Sequence, residues 1–121
     1  MGRNPSELSE QITLVRALRR HGILFCAVPN GGLRTRQGAM RLKASGVERG
    51  VPDILIFDSP PNQPDKRGLA IELKRVGAPA SSVGLHQQRW LNALDDRGWL
   101  VVIAYGANDA LELLRSLEYI D

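Results

Sequence analysis

Cysteine is nearly absent: Cys26 is the only one in 121 residues, so no disulfide can form within the chain. That suits a reducing compartment. Cys26 lies in the apolar run Ile23-Leu24-Phe25-Cys26-Ala27-Val28, where a buried structural thiol is expected rather than a reactive one. The two histidines, His21 and His86, share no metal-ligand spacing with each other or with the cysteine, which argues against a zinc site. No apolar run approaches the length needed to span a bilayer. Residues Met1 to Glu7 lack the charged-then-apolar order of a secretory signal, so a cytoplasmic location is expected. No internal repeat or low-complexity tract interrupts the chain.

What is present is an ordinary globular composition. With 43% hydrophobic and 24% charged residues, the chain can build a core, and its length suits a single domain over 1–121. The net charge is +3 and the isoelectric point is near 9.5, a weak pointer to an acidic partner. The distribution of charge says more. Between positions 34 and 49 stand Arg34, Arg36, Arg41, Lys43 and Arg49 against the single acid Glu48. Such a local excess suits phosphate contacts, although a solvated helix face would carry the same residues.

Along the chain, Ser6 is placed to cap a helix with Leu8, Ile12, Val15 and Leu18 at helical spacing, ending at Gly22. Residues 23–28, closed by Pro29, read as a strand, and Asn30-Gly31-Gly32 as a turn. A basic helix from Arg36 to Ser45 stops at Gly46, and Ile54 to Phe57 is a buried strand. Residues 58–68 form a proline-rich loop, 69–75 an alternating strand, and 76–84 a second loop. A helix over 85–97, a strand over 99–105 and a final helix capped by Asn108, carrying Leu111, Leu114 and Leu117, complete the order. The loop between the strands at 54–57 and 69–75 has no helical pattern, so those strands should pair as an antiparallel hairpin. The helix at 85–97 is a crossover of the kind that joins parallel strands. The expectation is an α/β fold with a mixed sheet and helices on both faces.

On the second hairpin strand, alternation sends Leu69, Ile71 and Leu73 to one face and Ala70, Glu72 and Lys74 to the other. Asp53 begins the partner strand and should lie near Glu72. Two carboxylates so placed, with the Leu73 carbonyl between Glu72 and Lys74, offer hard oxygen ligands for Mg2+ or Mn2+. A metal there would polarise a phosphate and activate water, with Lys74 close to that water. The bland reading is a solvent-facing strand. Against it, the strands on either side are apolar on both faces, and charges in the middle of such a sheet need a reason.

Gly50-Val51-Pro52-Asp53 followed by Ile71-Glu72-Leu73-Lys74 resembles the PD…ExK signature of the PD-(D/E)XK nuclease superfamily. Three further blocks make the pattern similar to the VRR-NUC domain. They are Pro29-Asn30-Gly31-Gly32 with Arg34, then Leu42-Lys43-Ala44 with Gly46, then Gln87 three residues before Trp90. The resemblance runs from Glu7 to the last helix. It implies a restriction-endonuclease-like mixed sheet flanked by helices, in the order αβ(α)ββαβα. It implies a magnesium-dependent endodeoxyribonuclease with Asp53, Glu72 and the Leu73 carbonyl as metal ligands and Lys74 at the attacking water. A helix glutamate usually joins such sites, here Glu7, with Glu10 the alternative. Gln87, rather than its neighbour Gln88, matches the family's helix glutamine. The chain departs from the family in having Gly84 where a serine is usual, with Ser81 and Ser82 shifted upstream.

Asn30, Gly31 and Gly32 would bring backbone amides to a phosphate, although an ordinary tight turn would carry the same residues, with Arg34, Arg36 and Lys43 as further DNA contacts. Stand-alone members of this branch, often from bacteriophages or bacteria, resemble dimeric nucleases acting on Holliday junctions or flaps. A homodimer on branched DNA is therefore the expectation, its interface drawn from the final helix or the apolar side of the first. The alternative is a catalytically silent DNA-binding module on the same fold.

Overall fold

The computed structural model describes residues 4–29 and 35–121. Its helices are α1 (Glu7–Arg20), α2 (Arg36–Ala44), α3 (Leu85–Asp96) and α4 (Ala107–Ser116). Its strands are β1 (Phe25–Ala27), β2 (Ile54–Ile56), β3 (Leu69–Lys74) and β4 (Leu100–Tyr105), with a short 3-10 turn at Ala80–Ser82. They form one four-stranded sheet in the order β1-β2-β3-β4. The β1–β2 and β2–β3 pairs are antiparallel and the β3–β4 pair parallel, so the expected hairpin and crossover are both present. The result is a mixed sheet flanked by helices.

The core lies on one side of the sheet. Leu14 and Leu18 of α1 and Ala110 and Leu114 of α4 pack on Ile54, Ile56, Leu69, Ile71 and Leu73. The α3 helix covers the opposite side with Leu91, its one buried residue. Glu10 reaches from the first turn of α1 to accept a hydrogen bond from the Ala107 N–H, so an acid of one helix caps another. Asn108 is therefore not the cap; the N-terminal flank of α4 is Gly106, whose φ of 97° suits glycine alone among common residues.

Three further expectations need correction. Leu8 and Ile12 remain 67% and 44% exposed, because the buried stripe of α1 is Leu14, Ala17 and Leu18. Cys26 is exposed, because β1 is an edge strand without cover over that residue. In α4, Leu114 and Leu117 are buried in the monomer core and Leu111 packs against it, which removes that stripe as a free interface. Replacing Leu114 by alanine should cost about 2–5 kcal/mol of stability, the range for emptying a fully buried leucine site, measured by urea unfolding. A loss under about 1 kcal/mol would contradict this core.

Candidate active site

The site begins where the β2–β3 hairpin runs out of ladder. Ile54 pairs with Ile71. Continuing that register sets Asp53 opposite Glu72 and Pro52 opposite Leu73. Proline has no N–H, so Pro52 cannot return a ladder bond to the Leu73 carbonyl. The Leu73 N–H donates to Asp53 Oδ2 at 2.8 Å, which fixes that carboxylate at the mouth of the hairpin. Asp53 is only 8% exposed and Glu72 only 1%.

Strand alternation turns Glu72 and Lys74 away from the leucine core and toward α3, as their spacing predicts. There Gln87, in the first turn of α3, makes contact with both. Its Nε2 donates to Glu72 Oε2 at 3.0 Å, and its Oε1 accepts from Lys74 Nζ at 3.0 Å. The same Oε1 accepts from the Gly84 N–H at 2.8 Å, which serves a helix-start donor that a flanking side chain usually serves. Lys74 Nζ also donates to the Ser82 carbonyl at 2.9 Å and lies 3.5 Å from Glu72 Oε2. Gln88 points elsewhere, donating to Asn92. The Ser82 carbonyl had no signature in the sequence, since a backbone acceptor depends on loop conformation. It supplies the lysine's third partner in the loop where the usual serine is displaced.

Gly50 explains how α3 comes so near. Its φ is +86°, and a Cβ there would lie 2.5 Å from the His86 carbonyl carbon. Only glycine lets the segment leading to Asp53 pass against the helix start that carries Gln87.

The electrostatics are under tension. Burial first, then the negative charge of Asp53, push the Glu72 carboxyl up from 4.5 to about 8, against the opposing pull of Lys74. Glu72 Oε1 is buried without a hydrogen-bond partner. A buried carboxylate oxygen left unserved is costly, and a proton or cation relieves that cost. Glu7 is raised too, by its own burial, then by Asp53, with Lys74 acting the other way. Glu7 thus feels the same cluster, whereas Glu10 is committed to capping α4. Among the described residues no three His, Cys, Asp or Glu side chains form a metal cage by themselves. Asp53, Glu72 and a backbone carbonyl are instead the partial donor set that Mg2+ uses, with waters completing its shell.

Arg36 and Lys43 lie on exposed α2 and line a cleft of about 540 Å³ that reaches Gln87 but does not include Asp53, Glu72 or Lys74. Asn30, Gly31 and Arg34 lie outside the described residues.

The sequence pattern of the VRR-NUC domain matches residues 5–108. The chain belongs to the VRR-NUC domain family. That match spans Glu7, Asp53, Glu72, Lys74 and Gln87, so the cluster described above lies within this VRR-NUC nuclease domain. A solved structure described as a VRR_NUC domain protein superposes with a TM-score of 0.76 at 20% identity, covering 98% of this chain and 93% of that chain, which supports the same fold. No curated protein matches the chain.

A carboxyl whose folded pKa is raised keeps its proton longer in the native state than in the unfolded chain, so stability falls as pH rises between those values. The metal-free VRR-NUC domain should therefore lose stability from about pH 4.5 to about pH 8, driven mainly by Glu72. Glu72→Gln should flatten that slope in urea titrations run with chelator. A variant as steep as the wild type would show that Glu72 is not the group under tension.

Proposed function

We propose that this domain is a metal-dependent DNA endonuclease of the PD-(D/E)XK type, hydrolysing phosphodiester bonds in branched DNA such as a four-way junction or a flap. The observation that carries this reading is the buried, unpartnered Glu72 Oε1 beside Asp53, with Lys74 tethered alongside. A structure that only bound DNA would gain nothing from burying two carboxylates next to a substrate that is itself anionic.

Asp53, Glu72 and the Leu73 carbonyl would hold Mg2+ or Mn2+, which supplies Lewis acidity and a more acidic bound water. The remaining work falls to the protein. Lys74, held in place by Gln87 and the Ser82 carbonyl, orients the attacking water and neutralises charge building on the phosphorane. Gln87 sets the spacing of Glu72 and Lys74 through one amide, so neither rotates independently. Glu7 adds a third negative charge at the edge of the cluster, where it can take up a proton or a water. Arg36 and Lys43 on α2 supply cations for the phosphate backbone, and Asn30, Gly31 and Arg34 are the further contacts expected from the sequence.

Cleavage should require Mg2+ or Mn2+, with Ca2+ supporting binding but little turnover. Asp53→Ala, Glu72→Ala and Lys74→Ala should each lower the rate by about 100-fold or more while still binding DNA. Gel assays on duplex, single-strand, flap and four-way-junction DNA read both properties. Near wild-type cutting by all three variants, or full activity in excess chelator, would sink the assignment. Binding to DNA without cutting under any metal would support a silent binding module instead.

We further propose a homodimer, because paired incisions on a junction suit two sites related by a two-fold axis. With the α4 leucines committed to the core, the exposed Leu8 and Ile12 of α1 are the remaining candidate contact from the original pair. Light scattering should give twice the 13.3 kDa chain mass. A monomer both free and on junction DNA would exclude the dimer.

A further inference from the structure

The α2 helix has an unusual relation to the rest of the protein: none of its side chains is buried. Its Met40 is 64% exposed, and across from it Leu85 of α3 is 66% exposed. Beneath α2 lie a cleft of about 540 Å³ and a second of about 340 Å³, which share Pro29, Leu42, Val47 and Glu48 in their walls and so form one slot. Trp90 lines the smaller cleft. Three cations, Arg36, Lys43 and Arg49, line the larger cleft, and among the described lining residues the only acid, Glu48, lines both clefts and lies 3.5 Å from Lys43. The wall nearest the carboxylates includes Gln87, the same residue that touches Glu72 and Lys74.

We propose that this slot receives one unpaired nucleobase of the DNA strand, next to the phosphate being cut. The inference rests on the nuclease reading and adds to it the feature by which substrates are selected. Walls that combine Met40, Leu42, Val47, Leu85 and Trp90 with three cations match a nucleotide, whose flat base is apolar on both faces and whose phosphate is anionic. A base pair is bulkier than a single base and is held in its stack, so the slot discriminates by pairing. A base in intact duplex must be unstacked at a cost of a few kcal/mol before it can enter. A base at a branch point has already lost a neighbour, so that cost is smaller. Continuity through Gln87 places the phosphate attached to such a base beside Asp53 and Glu72. Preference for branched DNA then arises from one slot, with no reading of base edges.

The test uses the wild-type protein and the double variant Met40→Ala/Leu85→Ala, which alters only exposed side chains. Branched substrates carry a single abasic site stepped through the positions around the cut. Affinity is measured in Ca2+ and cleavage in Mg2+. For the wild-type protein, one position should weaken binding about tenfold when its base is removed, the scale of one lost stacking contact. The double variant should show a similar loss with the base present and little further loss without it, the non-additivity expected of direct partners. Additive losses, or no sensitive position, together with normal cleavage, would overturn the slot and leave the nuclease reading standing. Coupled losses in binding without cleavage under any metal would keep the slot and remove the nuclease reading. Failure to bind any DNA would remove both.

Discussion

A carboxylate cannot sit in an interior strand unless something outside that strand compensates it, and Glu72 imposes that condition on this domain. It is almost wholly buried between two apolar strands. One of its oxygens is served by Gln87 and approached by Lys74, and the other has no hydrogen-bond partner. The start of α3 must therefore lie against β3, which requires a glycine at 50, and Lys74 must be held by a carbonyl from the loop between β3 and α3. The core leucines on the opposite face make the sheet rigid enough for this arrangement to persist. Much of the molecule can be understood as scaffolding for one unfavourable burial, the pattern expected where stability is exchanged for function.

The parts of this arrangement that depend on periodicity were legible in the sequence. Alternation along 69–74 separated Leu69, Ile71 and Leu73 from Glu72 and Lys74, and the structure keeps that division. The absence of a helical pattern in 58–68 correctly implied an antiparallel hairpin. The resemblance implied Gln87 rather than Gln88 as the helix glutamine, and the two side chains diverge, Gln87 toward Glu72 and Gln88 toward Asn92. Asp53 and Glu72 were expected as neighbours, and the register sets them opposite one another.

What the sequence hid depends on where elements dock. Leu8 and Ile12 have helical spacing, but helical rotation places Leu14, Ala17 and Leu18 toward the sheet instead. Cys26 lies in a run as apolar as any core strand, and only the position of β1 at the sheet edge leaves it exposed. Asn108 is a good capping residue by type, but the donor at Ala107 is served by Glu10 across the molecule. Glu7 and Glu10 could not be separated by residue type, being less than one turn apart. Their environments separate them: one cap, one neighbour of Asp53.

The Glu10–Ala107 contact joins residues 97 apart in the chain. It has a temporal consequence. A ribosome releases α1 first, but α1 has no seat until β3 and α4 have emerged, because its buried side packs on both. Contacts of such long sequence separation form late and slowly. Until then Glu7 has no fixed relation to Asp53, and Gln87 has no sheet to close upon. During synthesis, therefore, the acidic cluster exists only as scattered residues on a nascent chain. The geometry of the cluster is completed only after the last helix has emerged.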